Sequence, residues 1–176
     1  MRNKILLSTI ALILVILASD NLMAQKAVEP RPSPMAVARM KKDDAYIKVM
    51  YNQPHLRNRK MLGEQEPYGK VWRLGANEAT EITLTEDVKL GGKEVEAGTY
   101  SMFAIPEKDK WTIILNSDLG LWGAYEYDDS KDVVRFDVPV QKNRDKYEPF
   151  TIKFNETGTK MMMMWDTMMV EIPVEV

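Results

Sequence analysis

The chain has 176 residues, 45% of them hydrophobic, a formal net charge of −2 and no cysteine. That length supports one domain with a real core, and the near-neutral charge excludes the basic face that nucleic acid requires. Without cysteine there is no thiol nucleophile, no thiolate metal site and no disulfide, so packing must hold the fold.

Residues 1–24 read as a signal peptide. Arg2 and Lys4 make a basic start, and residues 5–18 form an apolar stretch shorter than the roughly 20 residues of a membrane span. Leu22-Met23-Ala24 then places a small residue where a signal peptidase cuts, before Gln25. The alternative is an uncleaved N-terminal anchor. Residues 25–43 read as a linker, because Pro30, Pro32 and Pro34 favour an extended polyproline-like chain. A short helical turn is the other option for residues 35–42.

From Asp44 the hydrophobic period becomes two. Ala45, Ile47, Val49 and Tyr51 share one face of a predicted strand, with Tyr46, Lys48 and Met50 on the other. Residues 52–69 are irregular and punctuated by Pro54, Gly63 and Pro67. Thr80, Ile82 and Leu84 alternate with Glu81, Thr83 and Thr85 as a second half-buried strand. Residues 88–95 spell a tight hairpin, since Gly91-Gly92 tolerates the positive φ of a two-residue turn. Strands over 99–105 and 111–115 carry apolar residues on both faces and are placed centrally.

Residues 116–131 form a long loop containing Trp122, Tyr125 and Tyr127. Val134, Phe136, Val138 and Val140 start the next strand, and residues 141–146 read as a solvated connection. Phe150, Ile152 and Phe154 follow, then a turn at Glu156-Thr157-Gly158, residues 160–165, and a last run through Met168, Val170, Ile172, Val174 and Val176. Pro139 and Pro173 lack a ladder donor and mark edges or bulges. About nine short strands at this spacing predict an all-β fold, an antiparallel β-sandwich that is jelly-roll-like or immunoglobulin-like, over residues 44–176.

Several patches together resemble a family of exported bacterial proteins, domain of unknown function 2911. They are Arg31-Pro32-Ser33-Pro34, Tyr51 with Pro54, Arg59 with Gly63, Pro67-Tyr68-Gly69, Val71-Trp72-Arg73, Gly75-Ala76-Asn77 and Ala79-Thr80. Ala97-Gly98-Thr99-Tyr100, Ile105-Pro106, Trp122-Gly123 and Trp165 complete the resemblance. Asn58 stands where a glycine is common, and Leu74 where a threonine is common. The resemblance implies an exported β-domain and brings no activity with it.

The densest patch of unusual chemistry is Trp72-Arg73 running into Gly75-Ala76-Asn77. Arginine presents rigid donors suited to carboxylate, phosphate or sugar oxygens. Tryptophan offers a flat face for a sugar ring or a cation, and asparagine both donates and accepts. Gly75 would let a ligand approach the backbone, and Arg57 and Arg59 lie on the preceding loop. The structural reading is equally open: Arg73 pairs with Glu78 or Glu81, Trp72 plugs the core, and Asn77 caps a turn.

Other candidates read as ordinary structure. His55 is the sole histidine, and none of Ser33, Ser101, Ser117 or Ser130 lies in a nucleophile-elbow sequence. Glu126, Asp128, Asp129 and Asp132 crowd the long loop without calcium-loop spacing. Met161 to Met164, with Met168 and Met169, offer soft thioethers suited to Cu(I), but methionine is also an adaptable core filler, and the strand period splits the run between two faces.

The function expected is a non-catalytic, exported binding module, periplasmic or secreted, for a polar or anionic ligand such as a glycan. Arg59, Trp72, Arg73, Asn77 and Trp122 are its ligand-binding candidates. No catalytic residue, metal ligand or cofactor is assigned, and neither a nucleic-acid partner nor a membrane span after leader cleavage is expected. The alternatives are a hydrolase using carboxylates or His55 and an envelope structural or assembly protein, which would show an apolar patch or exposed edge strand.

Overall fold

A computed structural model describes residues 29–176, so the leader read over residues 1–24 lies outside the described part. Contacts divide the chain into Met1–Arg31 and Pro32–Val176, and every described strand belongs to the second unit. The strands are β1 (Met35–Lys42), β2 (Ala45–Asn52), β3 (Thr80–Leu84), β4 (Val88–Leu90), β5 (Lys93–Val95), β6 (Gly98–Pro106), β7 (Lys110–Asn116), β8 (Asp132–Phe154) and β9 (Lys160–Glu175). A short 3-10 turn, Asp129–Lys131, precedes β8. Among the described residues no helix is long and apolar enough to cross a membrane.

All the pairings are antiparallel, and the nine strands form one hydrogen-bonded sheet in the order β1-β2-β3-β6-β7-β8-β9-β4-β5. The all-β antiparallel fold is what the alternating pattern demands. The ladder passes through β8, whose first part pairs with β7 and whose remainder pairs with β9. The far half of β8 returns against the end of β2. There the Tyr51 hydroxyl donates to the Ile152 carbonyl at 3.3 Å and accepts from its N–H at 3.0 Å.

Three local expectations are corrected. Residues 35–42 form β1, not a linker or helical turn, so the sheet begins before Asp44. Its inward face carries Ala36, Ala38 and Met40, and two alanines give little hydrophobic signal. Residues 141–146 continue β8 instead of leaving it, because hydrogen bonding to β9 on both sides carries this mostly exposed ribbon. Residues 160–175 are one strand, β9, with Asp166 at φ 52° absorbing the irregularity in its pairing with β8.

The prolines mark where strands change partner. Pro139 makes the last β7 pair before Val140 joins β9, and Pro173 lies between the β8-paired and β4-paired parts of β9. A residue without an N–H costs nothing at such a junction. The Gly91-Gly92 turn has φ of 58° and 77°, as the hairpin signal required.

The main core runs under all nine strands. At its centre lie Trp72, Trp111, Phe150 and Trp165. The Trp72 indole stacks on Trp165 at 5.5 Å and 9°, and meets Trp111 and Phe150 edge-on at 5.6 and 5.0 Å. Met161 and Met163 are buried with these rings, the use of methionine as filler. A second, smaller cluster lies on the other face of the central strands. Phe103 and Ile114 are buried there beneath Leu121, Ala124 and Tyr127 of the 117–128 loop.

Candidate functional site

The residue pair at the heart of the sequence patch is separated by strand geometry. Residue 72 forms an isolated antiparallel bridge with Ala104 of β6: its N–H donates to the Ala104 carbonyl at 2.7 Å and its carbonyl accepts at 2.9 Å. In an extended segment consecutive side chains point to opposite faces. Trp72 therefore enters the main core, 2% exposed, and Arg73 emerges on the face covered by the 117–128 loop. The indole N–H of Trp72 donates to the Gly75 carbonyl at 3.2 Å, which fixes the ring.

The turn that follows is held from within. Leu74 and Asn77 have φ of 51° and 57°, a left-handed conformation costing a non-glycine residue about 1 kcal/mol. Leu74 is fully buried, and its carbonyl accepts from the Thr80 hydroxyl at 2.6 Å. Gly75 serves the fold and not a ligand: a Cβ there would lie 2.8 Å from the Asn52 carbonyl oxygen. Asn77 accepts from the Arg73 guanidinium at 3.2 Å through its carbonyl and donates its side-chain amide to the Ser33 carbonyl at 3.4 Å.

Neither carboxylate expected for Arg73 is placed to take it. Glu78 accepts from the Asn52 amide at 3.0 Å, and Glu81 accepts from the Gly120 N–H at 3.1 Å. The Arg73 guanidinium instead lies over the Tyr125 ring, 5.9 Å from its centroid, a cation–aromatic arrangement. Together they line a cleft of about 220 Å³ with Glu66, Val71, Trp72 and Ala124. Burial pushes the Glu66 carboxyl up from the ordinary range, and the positive charge of Arg73 partly offsets this. The cleft thus opposes a half-desolvated acceptor and a five-donor cation, with small apolar side chains beside them.

Loop 117–128 supplies one wall of the cleft and is anchored along its length. The Leu121 carbonyl accepts from the Ala79 N–H at 2.9 Å, Glu78 and Trp122 form an antiparallel bridge, and the Asp118 carbonyl accepts from the Ser101 hydroxyl at 2.6 Å. The Tyr127 hydroxyl donates to Asp132 at 2.7 Å. Gly123, at φ 74°, is where the loop crosses Arg73: a Cβ would lie 3.1 Å from the guanidinium Nη1 and 3.0 Å from the Tyr125 ring. Only glycine fits that crossing without strain.

Of the five predicted ligand-binding residues, Trp72 and Arg73 line this cleft and three do not. Arg59 folds back onto its own loop, donating to the Leu56 and His55 carbonyls at 3.1 Å each. Asn77 is spent on the turn. Trp122 lies outside the cleft, 55% exposed and one residue from the Gly123 crossing. Trp72 gives the cleft a wall but no free ring face, since that face is stacked on Trp165. The sequence reading missed Glu66, Val71, Ala124 and Tyr125. Tyr125, 80% exposed, was the legible one: one of three aromatics that the sequence places in this loop, with Trp122 and Tyr127.

The remaining candidates are engaged in structure. His55 forms a β-bridge with Pro149. Asp128 caps the 3-10 turn by accepting from the Ser130 N–H at 2.9 Å, and hydrogen bonding from Ser130, its side chain first and then its backbone, holds the carboxyl below the usual range. Asp132 takes Arg135, Tyr127 and Asn116. Among the described residues no group of three or more histidines, aspartates and glutamates is arranged to hold a metal ion.

The sequence profile of the family described as protein of unknown function (DUF2911) matches residues 33–174, and the chain belongs to that family. Comparison with curated proteins gave no match, and neither did comparison with solved structures.

Proposed function

We propose that this member of the DUF2911 family is a non-catalytic binding module for a polar ligand of glycan chemistry, held in the cleft between Glu66, Arg73 and Tyr125. The observation that carries the reading is the state of Arg73. Its guanidinium makes one hydrogen bond to a carbonyl and lies over an aromatic ring, on the wall of a cleft that also presents a half-buried carboxylate. A cation and an acceptor side by side suit hydroxyl and amide groups, which both donate and accept. They suit a bare anion less, because Glu66 repels it. The exposed Tyr125 ring adds the flat apolar surface on which a sugar ring stacks. The lining contains a single carboxylate, whereas glycoside hydrolysis in its usual form needs two flanking the scissile bond, so binding is favoured over catalysis. Export to the periplasm or beyond accords with the leader-like start.

The test is retention on an array of neutral and acidic oligosaccharides, comparing the purified protein with Arg73→Ala and Glu66→Gln. Neutral glycans should be retained, and each variant should bind at least about tenfold more weakly, the effect of one charge-assisted hydrogen bond. Retention unchanged in both variants, or no retention of any glycan by the parent protein, overturns the reading.

A further inference from the structure

The cleft and the loop beside it specify more than a generic polar ligand. Arg73 supplies donors, Glu66 an acceptor, and Val71 and Ala124 two small apolar side chains, all on one lining. An acetamido group carries the complement of each: a carbonyl to accept from the guanidinium, an N–H to donate to the carboxylate, and a methyl to cover the apolar wall. A plain hydroxyl satisfies only the polar pair. The sugar ring bearing that group would lie against Tyr125, whose ring is 80% exposed.

Trp122 adds a second, independent requirement. It is the one indole of four that solvent reaches, at 55%, while Trp72, Trp111 and Trp165 are at most 2% exposed. Its backbone is bridged to Glu78, and the neighbouring Leu121 carbonyl is tied to Ala79, so the ring is presented from a fixed position. It stands outside the cleft, three residues from Tyr125 and adjacent to the Gly123 crossing over Arg73. An indole 55% exposed on a rigid support is a stacking platform. A single ring in the cleft leaves it unused, whereas a linear chain of rings has a further unit to offer it.

We infer that the ligand is a linear oligomer of N-acetylated amino sugars, with one acetamido-bearing ring in the Glu66–Arg73–Tyr125 cleft and the next unit stacked on Trp122. This inference rests on the proposed binding function of the same cleft and goes beyond it in naming the ligand class and its length. Trp122 is then the residue that distinguishes an oligomer from a single sugar.

The experiment is titration calorimetry with three probes, N-acetylglucosamine, its β-1,4-linked tetramer and the corresponding glucose tetramer, alongside NMR of the indole N–H signals. The N-acetylglucosamine tetramer should bind about tenfold more tightly than the monomer, the contribution of one further stacked ring. The glucose tetramer should bind more weakly than its acetylated counterpart. Trp122→Ala should weaken the tetramer about tenfold, down to the monomer's affinity, while Tyr125→Ala weakens both. The Trp122 indole signal should move with the tetramer and not with the monomer.

Equal binding of the two tetramers overturns the acetamido assignment. A tetramer no tighter than the monomer, or unaffected by Trp122→Ala, overturns the two-ring assignment. Failure of all three probes, while the array yields another ligand that depends on Arg73, rejects the inference and leaves the binding function standing. Absence of any Arg73-dependent ligand rejects both.

Discussion

The four-ring core and the 117–128 loop use the same side chains in opposite ways. Trp72 is closed in by Trp111, Phe150 and Trp165, with its N–H hydrogen-bonded, whereas Trp122 and Tyr125 stand out from a pinned loop. The core rings cover one another, so their area contributes to stability. Trp122 and Tyr125 are carried by a backbone-bonded loop instead and stay 55% and 80% exposed, with Arg73 over the Tyr125 ring. The boundary between the two regimes runs between Trp72 and Arg73, neighbours in sequence on opposite faces of the same extended segment.

The widest test of this division is a pair of truncations at that boundary. Trp72→Ala should cost about 3–5 kcal/mol, the range for deleting a fully buried large aromatic. Arg73→Ala should cost about 1 kcal/mol or less, since its side chain makes a single hydrogen bond at a partly exposed site, yet should weaken ligand binding at least about tenfold. Urea unfolding of both variants decides it. Comparable destabilisation would mean that Arg73 belongs to the fold and that the cleft is a packing defect.

The same boundary explains what was legible in the sequence. Period-two alternation revealed β2, β3, β6 and β7 because their inner faces carry Ile, Val, Leu and aromatic residues. It failed for β1, whose inner face relies on alanine, and for the 141–146 ribbon, which has no strong inner face. The patch around Trp72 announced itself by composition, but composition does not say which of two adjacent residues points inward. That followed from the bridge to Ala104, a long-range pairing with no local signature. Glu66 was invisible for the same reason: it shares the cleft lining with Arg73 because the segment before Pro67 folds back, with the Gly63 N–H donating to the Glu66 carbonyl at 2.8 Å.

A finer test separates two stacked indoles inside the core. The Trp72 N–H has the Gly75 carbonyl, whereas the buried N–H groups of Trp111 and Trp165 have no partner among the described protein atoms. Phenylalanine at either of the stacked positions loses similar contact area. Trp72→Phe also breaks a hydrogen bond, while Trp165→Phe relieves an unpaired donor. Trp72→Phe should therefore be the more destabilising by about 1–2 kcal/mol. Equal costs would show that packing alone ranks these rings.

On the loop side, Gly123→Ala forces a Cβ against both Tyr125 and Arg73 in a left-handed backbone. It should cost about 1–2 kcal/mol and weaken glycan binding by a larger factor than the stability loss accounts for at working temperature. A variant that loses stability but binds normally would place the cleft elsewhere.

The smallest effect expected is a pH dependence in the loop's anchor. Tyr127 packs edge-on against Phe103 at 5.0 Å and donates to Asp132. Burial first, then the hydrogen bond and charge of Asp132, pushes its hydroxyl up from 10.0 to about 12, against the opposing charge of Arg135. The folded protein thus holds this proton more tightly than the unfolded chain. The contribution is fully present below about pH 10 and is lost as pH rises through about 12. Tyr127→Phe removes the titrating group, so the difference in unfolding midpoint between parent and variant should be flat below pH 10 and should narrow above it. The parent-minus-variant phenolate absorbance should rise correspondingly late. A difference spectrum that titrates near 10.0, the ordinary value, would show Tyr127 free of Asp132 and the loop without this anchor.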